Sequence, residues 1–279
     1  MKKLLSSTTL ALVLLLGGQA AWADLMLYPT RVELENKQRA AQVELINRGS
    51  KPETYRISIV NRRMTETGEI VEAKEVLPGE QFADKLLTYS PRQVTLQPGL
   101  GQTVRISARK PAELATGEYR SHLQFDRVAD TDGQSSLEAV AKPEEGQIAI
   151  VLQALVGASI PVIVRHGDTA ATATLDGLKI EPGTDKNKTP MLVFAIHRDG
   201  NRSVYGDLVA EFAVAGAKPV EVARVAGVAV YVPNLLRQAR MPLMLPEGTV
   251  LKDGTLTLRF STRPDAGSKL LAQATLALP

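Results

Sequence analysis

Apolar and polar residues alternate along most of this chain. Val32 and Leu34 alternate with Arg31, Glu33 and Glu35; Val43 and Leu45 with Gln42 and Glu44; Tyr55, Ile57 and Ile59 with Arg56 and Ser58. A period of two turns one face of an extended segment toward a core and the other toward water, so each segment reads as a half-buried strand. Val94 and Leu96 precede the turn Gln97-Pro98-Gly99, and Val104, Ile106 and Ala108 follow it. Tyr119, Leu123 and Phe125 then alternate with Arg120, His122 and Gln124. Turn residues at a spacing of roughly ten predict an immunoglobulin-like sandwich. Beyond His166-Gly167 the pattern resumes with LVFAI (Leu192 to Ile196), DLVAEFAV (Asp207 to Val214), VAVYV (Val228 to Val232) and TLTLRF (Thr255 to Phe260). A second all-β domain of about a hundred residues is expected there.

Two stretches break the alternation. VADTDGQSSLEAVAKPEE, Val128 to Glu145, is small, polar and acidic and reads as a loop. Directly after it, the seventeen residues from Ile148 to Val164 carry no charge. As a helix they would rise roughly 26 Å, marginal for a membrane span, and Gly157 and Pro161 would sit inside it at about 1 and 3 kcal/mol. Strands fit better: Ile148 to Val156 as one, a bend over Gly157 to Ser159, and Ile160 to Val164 as another leading into the second domain. The first of these is apolar on both faces. Ile148, Ile150, Leu152, Ala154 and Val156 make one face; Ala149, Val151 and Leu155 surround Gln153 on the other. One face packs on the chain's own sandwich. The other needs a cover, either from the chain's own loop or second domain or from a partner that lacks a strand, because an exposed apolar edge invites aggregation.

The N-terminus changes the setting. MKKLLSSTTLALVLLLGGQAAWA has two lysines, an apolar run and an Ala21-Trp22-Ala23 cleavage signature, so residues 1–23 read as a signal peptide and the protein as exported, most simply to a periplasm. The apolar core from Leu10 to Leu16 is too short to anchor it. The sequence holds 33 basic and 30 acidic residues, a net charge of +3 that falls to +1 without Lys2 and Lys3. A nearly neutral chain with no long basic run offers little attraction to nucleic acid or to anionic membrane. With no Cys it uses no disulfide, although an oxidising compartment would allow one.

Enzyme chemistry finds no footing. Asp130-Thr131-Asp132-Gly133 with Glu138 has the wrong spacing for a calcium loop, and His122, His166 and His197 lie far apart without metal-ligand spacing. Gly99-x-Gly101 sits in a turn between strands, and no Gly-x-Ser-x-Gly is present. No metal, cofactor or catalytic residue is expected. Arg62-Arg63 reads as a solvated pair.

The order of a signal peptide, LYPTRVEL, QVELINRG, YRISIVNRR, YSPRQVTLQPGLGQTVRI, GEYRSHLQF, a polar loop, a long apolar strand and a second β domain resembles the PapD-like periplasmic chaperones of the chaperone-usher pilus pathway. The resemblance is weaker after His166. It implies two immunoglobulin-like sandwiches in an L shape, over 24–158 and 159–279, and a last strand of the first domain lent to a pilin or fimbrial subunit. Subunits and an outer-membrane usher would then be the partners, with Ile148, Ile150, Leu152, Ala154 and Val156 filling the subunit's groove and Ala149, Val151 and Leu155 in the chain's own core. Arg31 would hold the subunit's terminal carboxylate, and Arg165 would form an interdomain ion pair. Where many members place a second cleft cation this chain has Pro161. The alternative, from a different class, is a two-domain structural or adhesive surface protein.

Overall fold

The computed structural model describes residues 25–128, 157–186 and 188–279. The leader, most of the polar interruption and the donor-face residues Ile148, Ile150, Leu152, Ala154 and Val156 lie outside the described residues.

Eleven described strands precede residue 167: β1 (Leu25–Tyr28), β2 (Val32–Leu34), β3 (Ala40–Asn47), β4 (Glu53–Val60), β5 (Arg62–Met64), β6 (Ile70–Glu72), β7 (Leu87–Ser90), β8 (Gln93–Leu96), β9 (Gly101–Ala108), β10 (Gly117–Arg127) and β11 (Ala158–His166). A sheet ordered β1-β3-β9-β7 faces one ordered β2-β11-β10-β4-β8, and β5 and β6 form a separate hairpin. The alternating apolar residues meet between the sheets, where Leu34, Leu45, Ile57, Ile106, Leu123 and Phe125 are almost wholly enclosed. Each such side chain contributes about 1.5–3 kcal/mol by leaving water. Buried Asn47 closes one end: its amide donates to the carbonyls of Lys51 (2.8 Å) and Leu96 (3.0 Å) and accepts from the Gly49 N–H.

Seven strands follow: β12 (Ala171–Glu181), β13 (Met191–Gly200), β14 (Val204–Val214), β15 (Val220–Val230), β16 (Leu236–Pro242), β17 (Gly254–Ser261) and β18 (Leu270–Leu278). They make a second sandwich, β12-β13-β16 against β15-β14-β17-β18, around Leu192, Ile196, Leu208, Phe212, Leu258 and Phe260. The expected all-β class with two immunoglobulin-like sandwiches is the observed one.

The boundary between the sandwiches differs from expectation. The segment Ile160 to Val164 does not open the second domain. It is the middle of β11, antiparallel to β10 from Gly117↔His166 to Phe125↔Ala158 and parallel to β2 at Val162↔Val32. Ile160, Val162 and Val164 are core residues of the first sandwich, so the first domain runs to about His166 and the bend expected over 157–159 is already strand from Ala158. Periodicity alone could not place an apolar strand on one side of the boundary or the other.

The β5–β6 hairpin leaves its own sandwich and reaches the second. Asn234 donates to the Met64 carbonyl (2.9 Å), and the Gln238 N–H to that of Glu66 (2.7 Å). Met64 joins Ile163, Ala229 and Tyr231 in a small apolar cluster spanning both domains. At the hairpin's turn Gly68 has φ +84°, and a Cβ there would come within 2.3 Å of the Arg237 guanidinium, so glycine permits both the turn and the contact.

Candidate functional site

The outward face of the β2-β11-β10-β4 sheet is built in rows set by strand register. In the first row His122 stands opposite Pro161 on one side and Val60 on the other, and Arg31, one residue before β2, is level with Pro161. The second row brings together Glu33, Ile163 and Arg120, and the third brings Arg165 beside Glu118. These polar residues occupy the phase that sequence alone assigns to water. Instead Glu118, Arg120, His122 and Arg165 are each at most 5% exposed, and Ser203 and Tyr231 of the second domain lie against Glu118 and Arg120.

Arg165 is the centre of a charged network. Its Nε donates to Glu118 (2.9 Å), and its Nη1 to Glu33 (2.5 Å) and Glu35 (2.9 Å). All three carboxylates belong to the first sandwich. The link between domains passes one step further: Glu118 accepts from both the hydroxyl and the backbone N–H of Ser203, and the Ser203 hydroxyl accepts from the Val232 N–H (3.0 Å). Arg165, expected to form the interdomain ion pair itself, reaches the second domain through Glu118 and through Glu35, which also pairs with Arg202 (3.4 Å). Burial alone would lower the Arg165 pKa, but hydrogen bonding and charge from Glu33 and Glu118 raise it further still. Likewise burial would raise the Glu33 carboxyl, while Arg31 and Arg165 together hold it at about 2.

Arg31 shares Glu33 with Arg165, donating from Nε at 2.5 Å, and donates from Nη1 to the Tyr231 hydroxyl (2.8 Å) across the domain boundary. Its guanidinium lies 4.3 Å from the Tyr205 ring centroid and 5.3 Å from that of Tyr231. On the far side of the boundary Tyr231 is placed by the turn after β15. Buried Arg198 fixes that turn by donating to the carbonyls of Asn234 (2.8 Å) and Pro233 (3.4 Å). A cleft of about 770 Å³ opens beside Arg31, lined by Tyr28, Thr30, Ser203, Tyr205 and Arg263 among others.

Arg120 stacks on Tyr231 as well, 4.2 Å from its centroid. Burial lowers its pKa, and nearby Arg31 adds to the effect against the pull of Tyr231 and Glu118. Burial first, then Arg120, Arg62 and Arg31, lower the His122 pKa to about 3, so its imidazole is neutral near pH 7. Arg62 donates to Gln124 (2.8 Å) and Arg63 to Glu80 (2.8 Å), so the two arginines read as solvated are both engaged. Sequence reasoning singled out Arg31 and Arg165, which both lie at this boundary. It missed Glu118, Arg120, His122, Tyr205 and Tyr231. For the three on β10 a signal existed, three long polar side chains at alternate positions, but it is the same signal a wet face gives.

Among the described residues no three His, Asp or Glu side chains gather to hold a metal ion, and no helix is long and apolar enough to cross a membrane.

No known family model and no curated protein matches the chain. Solved structures do resemble it. The YadV chaperone is 13% identical with a TM-score of 0.45, over 92% of this chain and 100% of that one. The class 5 fimbriae chaperone CfaA is 15% identical with a TM-score of 0.41, over 91% and 99%. The CsuC-CsuE chaperone-tip adhesion subunit pre-assembly complex, from the archaic chaperone-usher Csu pili of Acinetobacter baumannii, gives 9% and 0.43, over 92% and 98%. With TM-scores below 0.5 these likenesses carry no weight for function, which rests on the chain's own residues.

Proposed function

We propose that this chain is a periplasmic, non-enzymatic chaperone that captures pilin or fimbrial subunits by donor-strand complementation and delivers them to an outer-membrane usher. The observation that carries the reading is the edge of β11. On one side β10 pairs with it along its whole length, whereas on the other β2 pairs only from Val162 to Val164. Among the described residues Ala158 to Pro161 therefore present an unpaired strand edge. Immediately upstream in the chain comes the uncharged, two-faced stretch from Ile148 to Val156. An added strand is the natural occupant of such an edge, with main-chain bonds supplying affinity and alternate side chains filling pockets. Ile148, Ile150, Leu152, Ala154 and Val156 are the side chains proposed to fill the subunit's groove. Arg31, in the open cleft, is the residue proposed to receive the subunit's terminal carboxylate.

The experiment is to produce the chain in a periplasm together with candidate pilin subunits and to run the product through gel filtration. A soluble one-to-one complex is expected. Fibres assembled by this chain itself would identify a structural or adhesive surface protein instead.

A further inference from the structure

The β5–β6 hairpin is fixed at its base and closed at its tip. At the base Arg63 donates to both carboxylate oxygens of Glu80 (2.8 and 2.9 Å) and to the Glu75 carbonyl (2.8 Å), while the Ala73 N–H donates to the Asn61 carbonyl (3.0 Å). At the tip the Thr65 N–H donates to the Glu69 carbonyl (2.8 Å) and the Gly68 N–H to that of Thr65 (2.9 Å). This preformed turn meets the second sandwich over one short segment, residues 231–238. Asn234 and the Gln238 N–H donate to the Met64 and Glu66 carbonyls. The Arg237 guanidinium lies against Gly68 and is itself tied down, since its Nη1 donates to the Ala229 carbonyl (2.7 Å). Beyond the hairpin, Pro233 lies against Gly79 of the first domain, so close that a Cβ there would come within 3.3 Å. β16 is an edge strand of its sheet, with N–H groups that a neighbouring strand would otherwise take, and the hairpin's turn takes that of Gln238.

We propose that the β5–β6 hairpin is a clasp that sets the angle between the two sandwiches, alongside the polar chain through Glu118 and Ser203. The two fasteners differ in chemistry. The polar chain depends on the charges of Arg165 and its carboxylates. The clasp grips through main-chain carbonyls and through the Met64 side chain, 6% exposed among Ile163, Ala229 and Tyr231. Opening the joint would strip the Met64 and Glu66 carbonyls of these donors and wet that apolar cluster, both unfavourable. A change of angle therefore requires the hairpin to lift first. Both fasteners end on the same segment, because Val232 closes the polar chain and Asn234 the clasp. The clasp is independent of subunit capture, and its test needs no subunit.

The chain has no cysteine, so spin labels can be placed cleanly by Gln42→Cys on β3 and Thr275→Cys on β18, both exposed positions, one in each domain. Distances between the labels are measured by double electron–electron resonance on the full chain purified after export. Two variants release the clasp from opposite sides. Asn234→Ala removes the donor to Met64 and keeps the backbone turn; Gly68→Val puts a side chain against Arg237 at a φ of +84°. Wild type should give one narrow distribution. Each variant should widen it and shift its mean, with strand content by circular dichroism unchanged, and the Gln238 amide should exchange with solvent roughly 2- to 10-fold faster. Should one variant lose strand content, the other carries the test alone. A distribution left as narrow as wild type's, while the Gln238 amide exchanges faster, would overturn the proposal and leave the hairpin a passive cover for the β16 edge. Widening by Ser203→Ala but by neither clasp variant would equally overturn it, because the angle would then belong to the polar chain alone.

Discussion

Glu33 carries more of this molecule than its strand position suggests. It neutralises Arg31 on one side and Arg165 on the other, and those two cations hold its carboxyl at about 2. A carboxyl whose folded pKa lies below its unfolded value stabilises fully above the unfolded value, near 4.5, and loses that contribution as pH falls toward 2. The size is on the order of 2–3 kcal/mol, since one pKa step is worth about 1.4. Glu33→Gln should therefore unfold in less urea than wild type at pH 7, and its midpoint should fall less than wild type's between pH 5 and pH 2.5. Parallel curves for the two proteins across that window would mean the pairing contributes nothing to stability.

Strands with one wet face were legible before any coordinates. Val32, Leu34, Val43, Leu45, Ile57 and Ile106 are the buried residues that their alternation announced. Other elements were not, for physical reasons that differ. The three-residue strands of the β5–β6 hairpin are too short to display a period, and their partners, Asn234 and Gln238, are some 170 residues away. On the outward face of β10, Glu118 and Arg120 are buried against another domain, a circumstance no local pattern encodes. For β11 the composition was read correctly as strand but could not say which sandwich it completes. That placement now separates two substitutions in one continuous apolar segment. Val162→Arg forces a charge into the first core, fully buried between β2 and β10, and should leave the first domain unfolded because burying an unpaired charge costs several kcal/mol. Leu152→Arg should keep the melting temperature of wild type and lose subunit capture. Thermal melts and co-purification on the same two proteins decide it: equal destabilisation by both would show that residue 152 belongs to the chain's own core rather than to a groove elsewhere.

Among the described residues the two sandwiches touch through a small apolar cluster, the hairpin, the Arg31–Tyr231 and Glu35–Arg202 contacts and a chain of polar contacts that runs from Arg31 through Glu33, Arg165, Glu118 and Ser203 to Val232. Such contacts are cooperative, because each partner polarises the next. Glu33 is divided between a cation at the rim of the cleft and a cation at the joint, so the two ends of this chain compete for one negative charge. An anion arriving at Arg31 relieves that competition and leaves Glu33 to Arg165. The amides of Ser203 and Val232, which donate at the far end, should then exchange with solvent more slowly in acetate than in chloride; identical exchange in both would mean the ends are uncoupled. Linkage makes the effect reciprocal. Slower exchange in acetate would thus mean that what tightens the joint also tightens the grip on an anion at Arg31, so that the angle between the two sandwiches becomes a quantity the bound anion sets.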